Sequence, residues 1–514
     1  MSPANNELAR RVFLRRVCAF GGVTATAWTG CGTTPTATER RNVLLILTED
    51  QGAQMGALGT KGLQTPNMDA IAREGVLFGN AFVASPVCSP SKAALYTGLY
   101  PHTNGLRTVT RNFFVPASRL TRAQLNHPMY NHARIHDSVP TLIERLRDAG
   151  YYTGVSMKLH VAPNEKFPFD EWIRNPEKDH CAHSGNPNKD LAAEFIKNAQ
   201  EKGAPWFLMF NVSQPHRPFR DSDKEPIKVD PSEVEVPPVL PDTPVARKDW
   251  AEYLDSIQCA DSYVGEALAA LDETGTSVDT LVVFLGDHGP AFQRGKMTPY
   301  DFGLRVPMAI KGPGVRAGAV SDVLVSEIDI MPTVLEYLGL ERPDLEHGLS
   351  LLPILRGEED TRGHEYVFGE VHHDRILFPE SSAGPGVPDD GMQERSVYDG
   401  RFHLIYRENL DQPRKVNADL DQWDAWRNRA WDEAVAQKDR FPRQYEIVRE
   451  QDPTRLGGRP LQFELYDTEA DPYEMTNLAE SADHRAEFDR LREALRKWAV
   501  ETEDEWISLA GSGG

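Results

Sequence analysis

Continuous apolar runs of strand length recur along the chain and alternate with segments of helical periodicity. The run at residues 42–48, NVLLILT, is apolar at nearly every position, which is typical of a strand buried on both faces of a parallel sheet. Further strand-like runs lie at residues 76–84, 151–157, 205–212 and 280–285, and helical patterns lie at 68–74, 141–149 and 250–271. This alternation predicts an α/β fold with a doubly wound, mostly parallel sheet flanked by helices.

The pattern of predicted elements changes at about residue 365, where the strands become shorter. Shorter strands are predicted at residues 366–370, 395–398, 402–406 and 465–467, followed by a closing amphipathic helix at 486–502. The Pro- and Gly-rich segment 380–391 is predicted to be an exposed loop, and no internal repeat is evident. We therefore predict a large N-terminal domain at 42–364 and a smaller C-terminal α+β domain at 365–514.

The first 31 residues have the features of an export signal. Residues 9–15, ARRVFLR, resemble a twin-arginine motif, and the apolar run at 17–29 is too short to span a bilayer. Cys31 ends a segment, WTGC, that resembles a lipoprotein cleavage box. We expect export by the twin-arginine translocase to the periplasm or cell envelope, with lipid anchoring at Cys31 left open and residues 32–41 as a linker.

Net charge and cysteine content limit the classes of protein to which this chain can belong. The 514-residue chain carries a formal net charge of -21, which argues against a nucleic-acid partner because phosphate would be repelled. An anionic substrate would therefore need a local cationic pocket. Beyond the signal the cysteines are Cys88, Cys181 and Cys259, an odd and widely spaced set that is no disulfide framework. We expect Cys259 to be a small hydrophobic residue buried in its helix.

Acidic residues and one histidine follow two of the predicted strands. Glu49 and Asp50 come after the first strand, and Asp287 and His288 follow the strand at 280–285. Because ligands collect at the carboxyl ends of parallel strands, these side chains form a candidate site for a divalent cation such as calcium. The alternative is that each is a turn or helix-capping residue.

An ordered series of motifs carries a resemblance to a known family. NVLLILTEDQG (42–52), TPNMD (65–69), PVCSPSKAALYTGLYPH (86–102), GDHG (286–289) and GLRVP (303–307) resemble the type I sulfatases of the alkaline phosphatase superfamily. KLHVAP (158–163), FPFD (167–170), QPHR (214–217), FELYDTEADPYEMTNL (463–478) and KWAVETED (497–504) are similar to the sulfamidase-like members of that family. The resemblance implies an alkaline-phosphatase-like sandwich with a smaller C-terminal subdomain.

The resemblance also assigns a role to Cys88. In sulfatases the cysteine of a C-x-P-x-R motif is oxidised before folding, by a formylglycine-generating enzyme, to formylglycine (3-oxoalanine). One hydroxyl of its hydrated aldehyde attacks sulfur, and the other later expels sulfate. Here Lys92 replaces the usual arginine, and Lys matches its charge but not its bidentate geometry. Glu49 stands where aspartate is usual in the family.

The family pattern implies a full set of site residues. One calcium ion, with magnesium as the alternative, would be held by Glu49, Asp50, Asp287 and His288. The sulfate pocket would contain Cys88, Lys92, His102, Lys158, His160, His216 and Lys296, with His216 as the proton donor beside Lys296 and His160 as the base. Contacts with the sugar are expected from Arg217, His372, His373 and Arg395. The competing interpretation of the last four is that they are ordinary surface charges.

These observations predict a sulfatase that hydrolyses sulfate ester or sulfamate groups of a sulfated saccharide. One alternative is a phosphate mono- or diester hydrolase of the same superfamily. Another is a non-catalytic protein that binds sulfated glycans and leaves Cys88 unmodified. The sequence leaves the sugar, the sulfate position and the oligomeric state open.

Overall fold

A computed structural model describes the chain in several segments. They are residues 41–110, 134–174, 186–220, 222–224, 226–358, 363–373, 391–411, 428–452 and 456–511. The predicted export signal and most of the predicted loop at 380–391 lie outside the described residues. Within the described part, no helix is both long enough and apolar enough to cross a bilayer.

An eight-stranded mixed sheet forms the centre of the fold, in the order β4-β3-β5-β1-β6-β7-β2-β8. Its strands are β1 (Asn42–Thr48), β2 (Val76–Phe82), β3 (Tyr152–Ser156), β4 (Glu171–Ile173), β5 (Trp206–Val212), β6 (Thr280–Gly286), β7 (Met308–Lys311) and β8 (Ala319–Ser326). All neighbouring strands pair in parallel except β7, which is antiparallel to both β6 and β2. The predicted α/β class with a mostly parallel sheet is confirmed.

Helices cover both faces of this sheet. The α-helices of the described residues are α1 (Pro66–Glu74), α2 (Cys88–Thr97), α3 (Pro101–Asn104), α4 (Leu142–Asp148), α5 (Lys189–Glu201), α6 (Pro244–Thr274), α7 (Asp301–Leu304), α8 (Ile330–Tyr337), α9 (Leu352–Arg356), α10 (Arg429–Ala436), α11 (Pro442–Gln451) and α12 (Arg485–Glu501), of which α12 packs against the second sheet described below. Alternate residues of β1 enter different cores: Leu45 packs with side chains of α2 and α4, and Leu44 packs with those of α1, α5 and α6. Strand β1 is therefore buried on both faces, as its apolar run predicts.

Helix α6 is longer than the predicted segment at 250–271. The Thr243 side chain accepts a hydrogen bond from the amide of Ala246, Pro244 occupies the first turn, and Gly275 ends the helix at φ 70°. Cys259 lies in α6 and is buried, as predicted. Its sulfur is disulfide-bonded, which the wide spacing of the cysteines did not indicate.

A second, antiparallel sheet of four strands follows in the order β12-β11-β10-β9. Its strands are β9 (Val367–His372), β10 (Gln393–Tyr398), β11 (Phe402–Glu408) and β12 (Phe463–Asp467). One face packs against α12, where Leu404 and Leu465 meet Leu491 and Leu495. The predicted smaller C-terminal sheet with a closing helix is confirmed, whereas the domain boundary at residue 364 stays a prediction.

Candidate active site

The carboxyl ends of β5, β1 and β6 meet at one edge of the large sheet. Thr48, the last residue of β1, pairs with Val212 of β5 on one side and with Gly286 of β6 on the other. Glu49 and Asp50 therefore emerge beside Asp287. The Asp50 amide donates to Asp287 Oδ1 at 2.7 Å, and Asp50 has a left-handed backbone with φ 58°.

Glycine is needed on both sides of the Asp287-His288 pair. A Cβ on Gly286 would stand 2.2 Å from the carbonyl oxygen of Gln51, and one on Gly289 would stand 2.0 Å from that of Phe302. No side chain fits at those distances, so the backbone after β6 approaches its neighbours closely. This approach brings Asp287 and His288 against the end of β1.

Cys88 is the first residue of α2 and is buried beside these strand ends. Its Sγ lies 3.1 Å from His288 Nε2, and no side chain caps the start of the helix. The first-turn amides of α2 carry the positive end of the helix dipole, which favours an anion near residue 88. His288 Nδ1 contacts the carbonyl oxygen of Gly289 at 2.8 Å, so Nδ1 carries a proton and Nε2 faces Cys88.

Lys92 lies one turn after Cys88 on the same face of α2 and is completely buried. Its Nζ lies 2.6 Å from Glu49 Oε1 and 2.7 Å from Asp287 Oδ2. Burial opposes its charge, but attraction to Asp287 and Glu49 raises the pKa of Lys92 above its ordinary value. A single ammonium therefore joins the ends of β1 and β6 to the helix that carries Cys88.

The other oxygen of Glu49 faces Lys158, which follows β3. Lys158 Nζ donates to Glu49 Oε2 at 2.7 Å, and Asn211 Nδ2 donates to Glu49 Oε1 at 3.0 Å. Burial alone would raise the pKa of Glu49, but Lys158 and Lys92 hold it well below its usual range. Glu49 is thus an ionised carboxylate that two ammonium groups share.

Lys296 and His216 form the opposite side of the site. Lys296 Nζ lies 2.9 Å from each carboxylate oxygen of Asp50 and 3.3 Å from His216 Nε2. His216 Nδ1 lies 2.6 Å from the carbonyl oxygen of Arg217, to which it donates. These contacts assign the neutral tautomer of His216, with its proton on Nδ1 and its Nε2 accepting from Lys296.

His160 follows Lys158 by two residues and is 8% exposed. Burial lowers its pKa well below the ordinary value, and the neighbouring Lys158 and Lys92 lower it further. His160 is therefore neutral near pH 7 and has an unprotonated ring nitrogen.

Four buried side chains have donor atoms suited to a divalent cation. Single atoms of Asp50, Cys88, Asp287 and His288 all lie within 4.8 Å of one another. Two carboxylates and an imidazole are ordinary ligands of such ions. Burial opposes protonation of His288, but Asp287, Cys88 and Asp50 raise its pKa to about 9, so a bound cation would displace a proton from this ring. The residues present therefore fit a divalent cation.

The position of Glu49 differs from the predicted ligand set. Glu49 is not among the four residues whose donor atoms come together, and its oxygens face Lys92 and Lys158 instead. Its role as a metal ligand stays a prediction, since Asp50 and Asp287 also contact lysine ammonium groups in this structure. The longer side chain carries the carboxylate to the two ammonium groups.

Two arginines predicted to bind the sugar have their guanidinium groups paired inside the protein. Arg217 NH1 and NH2 each lie 2.9 Å from an oxygen of Asp249. Arg395 Nε and NH2 lie 2.7 and 3.1 Å from the two oxygens of Asp504, and the side chain is fully buried. Both guanidinium groups thus make bidentate contacts with aspartates, and their contact with a substrate carboxylate stays a prediction.

His102, His372 and His373 lie in buried polar clusters within the described part of the chain. The His102 amide donates to Glu370 Oε1 at 2.7 Å, its ring Nδ1 contacts Glu370 Oε2, and His372 Nε2 lies 3.2 Å from Glu370 Oε1. His373 Nε2 lies 2.7 Å from Glu394 Oε1. Glu370 and Glu394 thus hold these rings, and their predicted roles at the sulfate and the sugar stay predictions.

Three side chains behind the site were missed by the sequence analysis. Ser91 Oγ lies 2.6 Å from the carbonyl oxygen of Asp287 and 2.7 Å from Glu327 Oε2. A hydroxyl has one proton, so both contacts are satisfied when Glu327 is protonated; burial raises its pKa well above the usual value. Asn211 is the third. Asn211 interrupts an apolar run, which is a signal in the sequence, whereas Glu327 follows β8, a strand that the sequence analysis did not predict.

Comparisons with known proteins agree with this geometry. The family model described as Sulfatase matches residues 41–340. N-sulphoglucosamine sulphohydrolase of Homo sapiens is 29% identical over 91% of this chain and 91% of its own length. BT4656, solved in complex with its substrate D-glucosamine-2-N,6-O-disulfate, superposes with a TM-score of 0.61 at 18% identity over 91% of this chain and 99% of its own.

A phosphonate monoester hydrolase of Agrobacterium radiobacter shares the fold as well. Its TM-score is 0.63 at 22% identity, over 90% of this chain and 96% of its own. Fold similarity at this identity does not separate the two chemistries. The Sulfatase family model covers more than half of the chain and includes the strand ends, α2 and Lys296. The chain belongs to the sulfatase family.

Proposed function

We propose that this protein is a sulfuric ester hydrolase that removes sulfate from sulfated glycans, with Cys88 converted to formylglycine. The observation that carries the proposal is the position of Cys88 at the start of α2, 3.1 Å from His288 Nε2 and within the cluster of Asp50 and Asp287. The resemblance to N-sulphoglucosamine sulphohydrolase and to BT4656 favours a sulfated glucosamine as the substrate, with either an O-sulfate or a sulfamate as the reacting group.

The charges of the site suit an anionic substrate. Three carboxylates, those of Glu49, Asp50 and Asp287, are matched by the ammonium groups of Lys92, Lys158 and Lys296. These six side chains are therefore formally neutral together, and the protonated His288 adds one positive charge before any cation binds. A divalent cation that displaces this proton would leave an excess of two positive charges among buried side chains, and would attract sulfate despite the net charge of -21 of the whole chain.

Residue 88 and the cation cluster would supply the nucleophile and the electrophilic assistance. Asp50, Asp287 and His288 would hold the cation, preferably calcium, which would polarise a sulfate oxygen as a Lewis acid. The hydrated formylglycine would supply one hydroxyl as nucleophile and a second whose collapse to the aldehyde releases sulfate. Lys92, one turn along α2, keeps residue 88 in register with Asp287.

The remaining side chains would orient the sulfate and move protons. Lys158 is 25% exposed at its side chain, so part of its ammonium is available to an equatorial oxygen of the substrate. Neutral His160 would accept the proton of the hydroxyl that collapses. On the other side, Lys296 donates to His216 Nε2, so the leaving group would receive its proton from this Lys296–His216 pair.

Relative rates on defined substrates test the proposal. The protein would be produced together with a formylglycine-generating enzyme, and sulfate release would be measured on N-sulfated and O-sulfated glucosamine saccharides and on one aryl sulfate. An aryl phosphate and a phosphonate monoester serve as comparison substrates. We expect the highest kcat/KM on a sulfated glucosamine. Higher kcat/KM on the phosphate or phosphonate would instead favour the phosphoester hydrolase, and binding of saccharide without turnover would favour a glycan-binding protein.

The route to the cell envelope is a separate proposal. Residues 9–15 support export through the twin-arginine translocase, which carries folded proteins, so modification of Cys88 would precede export. Fractionation of cells that produce the full chain, and the same chain with Arg10 and Arg11 replaced by lysine, tests it. We expect the variant to stay inside the cell.

A further inference from the structure

Glu327 follows β8 and contacts the chain on both sides of Cys88. Its side chain is fully buried, and Oε1 accepts a hydrogen bond from the amide of Ala84 at 2.9 Å. Its Oε2 lies 2.7 Å from Ser91 Oγ, in the first turn of α2. Ala84 stands four residues before Cys88, and Ser91 stands three residues after it. One carboxyl group thus contacts both the segment that leads into α2 and the first turn of that helix.

The Ser91 hydroxyl extends this contact to the cation cluster. Its Oγ lies 2.6 Å from the carbonyl oxygen of Asp287, in addition to 2.7 Å from Glu327 Oε2. The backbone after β6 therefore meets α2 at this hydroxyl, in the same helical turn as residue 88, whose Sγ lies 3.1 Å from His288 Nε2. A displacement of Ser91 would move residue 88 relative to the cluster, because the two residues share one turn of helix.

The hydrogen-bond pattern assigns a proton to Glu327. A carbonyl oxygen can only accept, so the single proton of the Ser91 hydroxyl points to Asp287. The contact between Ser91 Oγ and Glu327 Oε2 then needs a proton from the carboxyl group. If Glu327 were ionised and accepted from Ser91, the Ser91 and Asp287 oxygens would face each other at 2.6 Å with no proton between them. Burial raises the pKa of Glu327 well above its usual value, in agreement with this assignment.

Glu327 differs in this respect from Glu49, another buried glutamate near the cluster. Glu49 faces the ammonium groups of Lys92 and Lys158, which stabilise its negative charge. The described hydrogen bonds of Glu327 are instead with a backbone amide and a hydroxyl, which carry no charge. A buried carboxylate without a cationic partner is unfavourable, whereas a buried carboxylic acid with both oxygens hydrogen-bonded is not. The surroundings of Glu327 therefore suit the neutral acid.

We propose that Glu327 is a positioning residue that holds residue 88 against the cation cluster, and that it does so as a neutral carboxylic acid. This inference rests on the proposed function. The acid proton on Oε2 is donated to Ser91, so the Ser91 proton is available to the carbonyl oxygen of Asp287. The other oxygen accepts from the amide of Ala84. The chain is thereby fixed before and after residue 88, which keeps the nucleophile at one place relative to the cation.

Infrared spectroscopy tests the protonation of Glu327 without measuring activity. The difference spectrum between the wild-type protein and Glu327→Gln at pH 7 should show the loss of a carboxylic-acid carbonyl band. Loss of ionised carboxylate bands instead would overturn the inference. Absence of sulfate release by the wild-type protein would count against the proposed function, and this spectrum would still test the inference separately.

Kinetics of Glu327→Gln, Glu327→Asp and Glu327→Leu test the positioning role, with rates divided by the formylglycine content of each preparation. Glutamine resembles the neutral acid, since its amide nitrogen can donate to Ser91 and its oxygen can accept from Ala84. We expect this variant to keep at least about a third of the wild-type kcat. Leucine loses both contacts, and aspartate withdraws the carboxyl group by about 1.5 Å. We expect each of these two variants to lower kcat about tenfold or more, with a smaller change in KM.

The matched control is Glu144→Leu. Glu144 also contacts a backbone amide and a hydroxyl, those of Thr141 at 2.8 and 3.1 Å, but it holds the start of α4. We expect this control to lower the free energy of unfolding without changing kcat. A loss of kcat in Glu327→Gln as large as that in Glu327→Asp or Glu327→Leu would overturn the inference. So would Glu327→Asp or Glu327→Leu with the kcat of the wild type, and the aspartate variant serves alone if the leucine variant does not fold.

Discussion

Replacing Lys92 with methionine removes the ammonium that Glu49 and Asp287 share. The side chain is completely buried, and its Nζ lies 2.6 and 2.7 Å from the two carboxylates. Methionine is unbranched and similar in length, so the variant keeps most of the packing and loses the charge. Removing one partner of a buried ion pair costs about 3–5 kcal/mol, because the other charge is left without compensation. Glu49 keeps Lys158, so we expect a loss near the lower limit, about 3 kcal/mol.

Equilibrium unfolding in guanidinium chloride, followed by tryptophan fluorescence, measures this loss. The experiment is done in the presence of a chelator, because a bound cation would partly compensate Asp287 in the variant. Lys497→Met is the matched control: Lys497 lies 3.8 Å from Glu501, and the two side chains are 70% and 64% exposed. We expect no measurable change in the control. Equal and small losses in the two variants would show that the buried bridge does not stabilise the site.

Three further predictions concern proton transfer by two histidines and the role of one buried arginine. His216→Ala should lower the rate of hydrolysis of sulfated saccharides, whose leaving groups need a proton, about a hundredfold more than that of an aryl sulfate. Equal losses of rate on both substrates would contradict the acid role of the Lys296–His216 pair. Burial, Lys158 and Lys92 keep the pKa of His160 well below 6.5, so its basic form persists as the pH falls and kcat/KM should stay level through pH 6.5. A fall in kcat/KM near pH 6.5 that is absent in His160→Gln would contradict this prediction. Arg395→Met should lower the free energy of unfolding by about 3–5 kcal/mol without changing KM, because it leaves the buried Asp504 without its partner. A raised KM at unchanged stability would instead support the predicted contact of Arg395 with the sugar.

The parts of the fold and site that could be predicted follow from local pattern and sheet topology. An unbroken apolar run such as NVLLILT fits a central parallel strand, and residues after parallel strands must meet at one edge, which brings Asp50 near Asp287. Strand β8 was missed because it alternates exposed and buried residues at the edge of the sheet, and β7 because it has only four residues. Such short or edge strands have little pattern of their own.

The pairing of buried charges could not be read from the chain. Arg217 meets Asp249 and Arg395 meets Asp504, over separations of 32 and 109 residues, and only the tertiary structure decides which carboxylate a buried guanidinium reaches. The same holds for the lysine contacts of Glu49. Its place at a strand end predicts a metal ligand, and the structure adds contacts with Lys92 and Lys158, which come from other elements of the fold.

The chemical state of residue 88 tests the central claim most directly. The protein is produced with and without a formylglycine-generating enzyme, the peptide that contains residue 88 is analysed by mass spectrometry, and sulfate release is measured on the same samples. We predict that the peptide carries the aldehyde after co-production and that the rate of sulfate release rises in proportion to the converted fraction, with no release from Cys88→Ala. A peptide that carries only the thiol in a sample with full sulfatase activity would contradict the account.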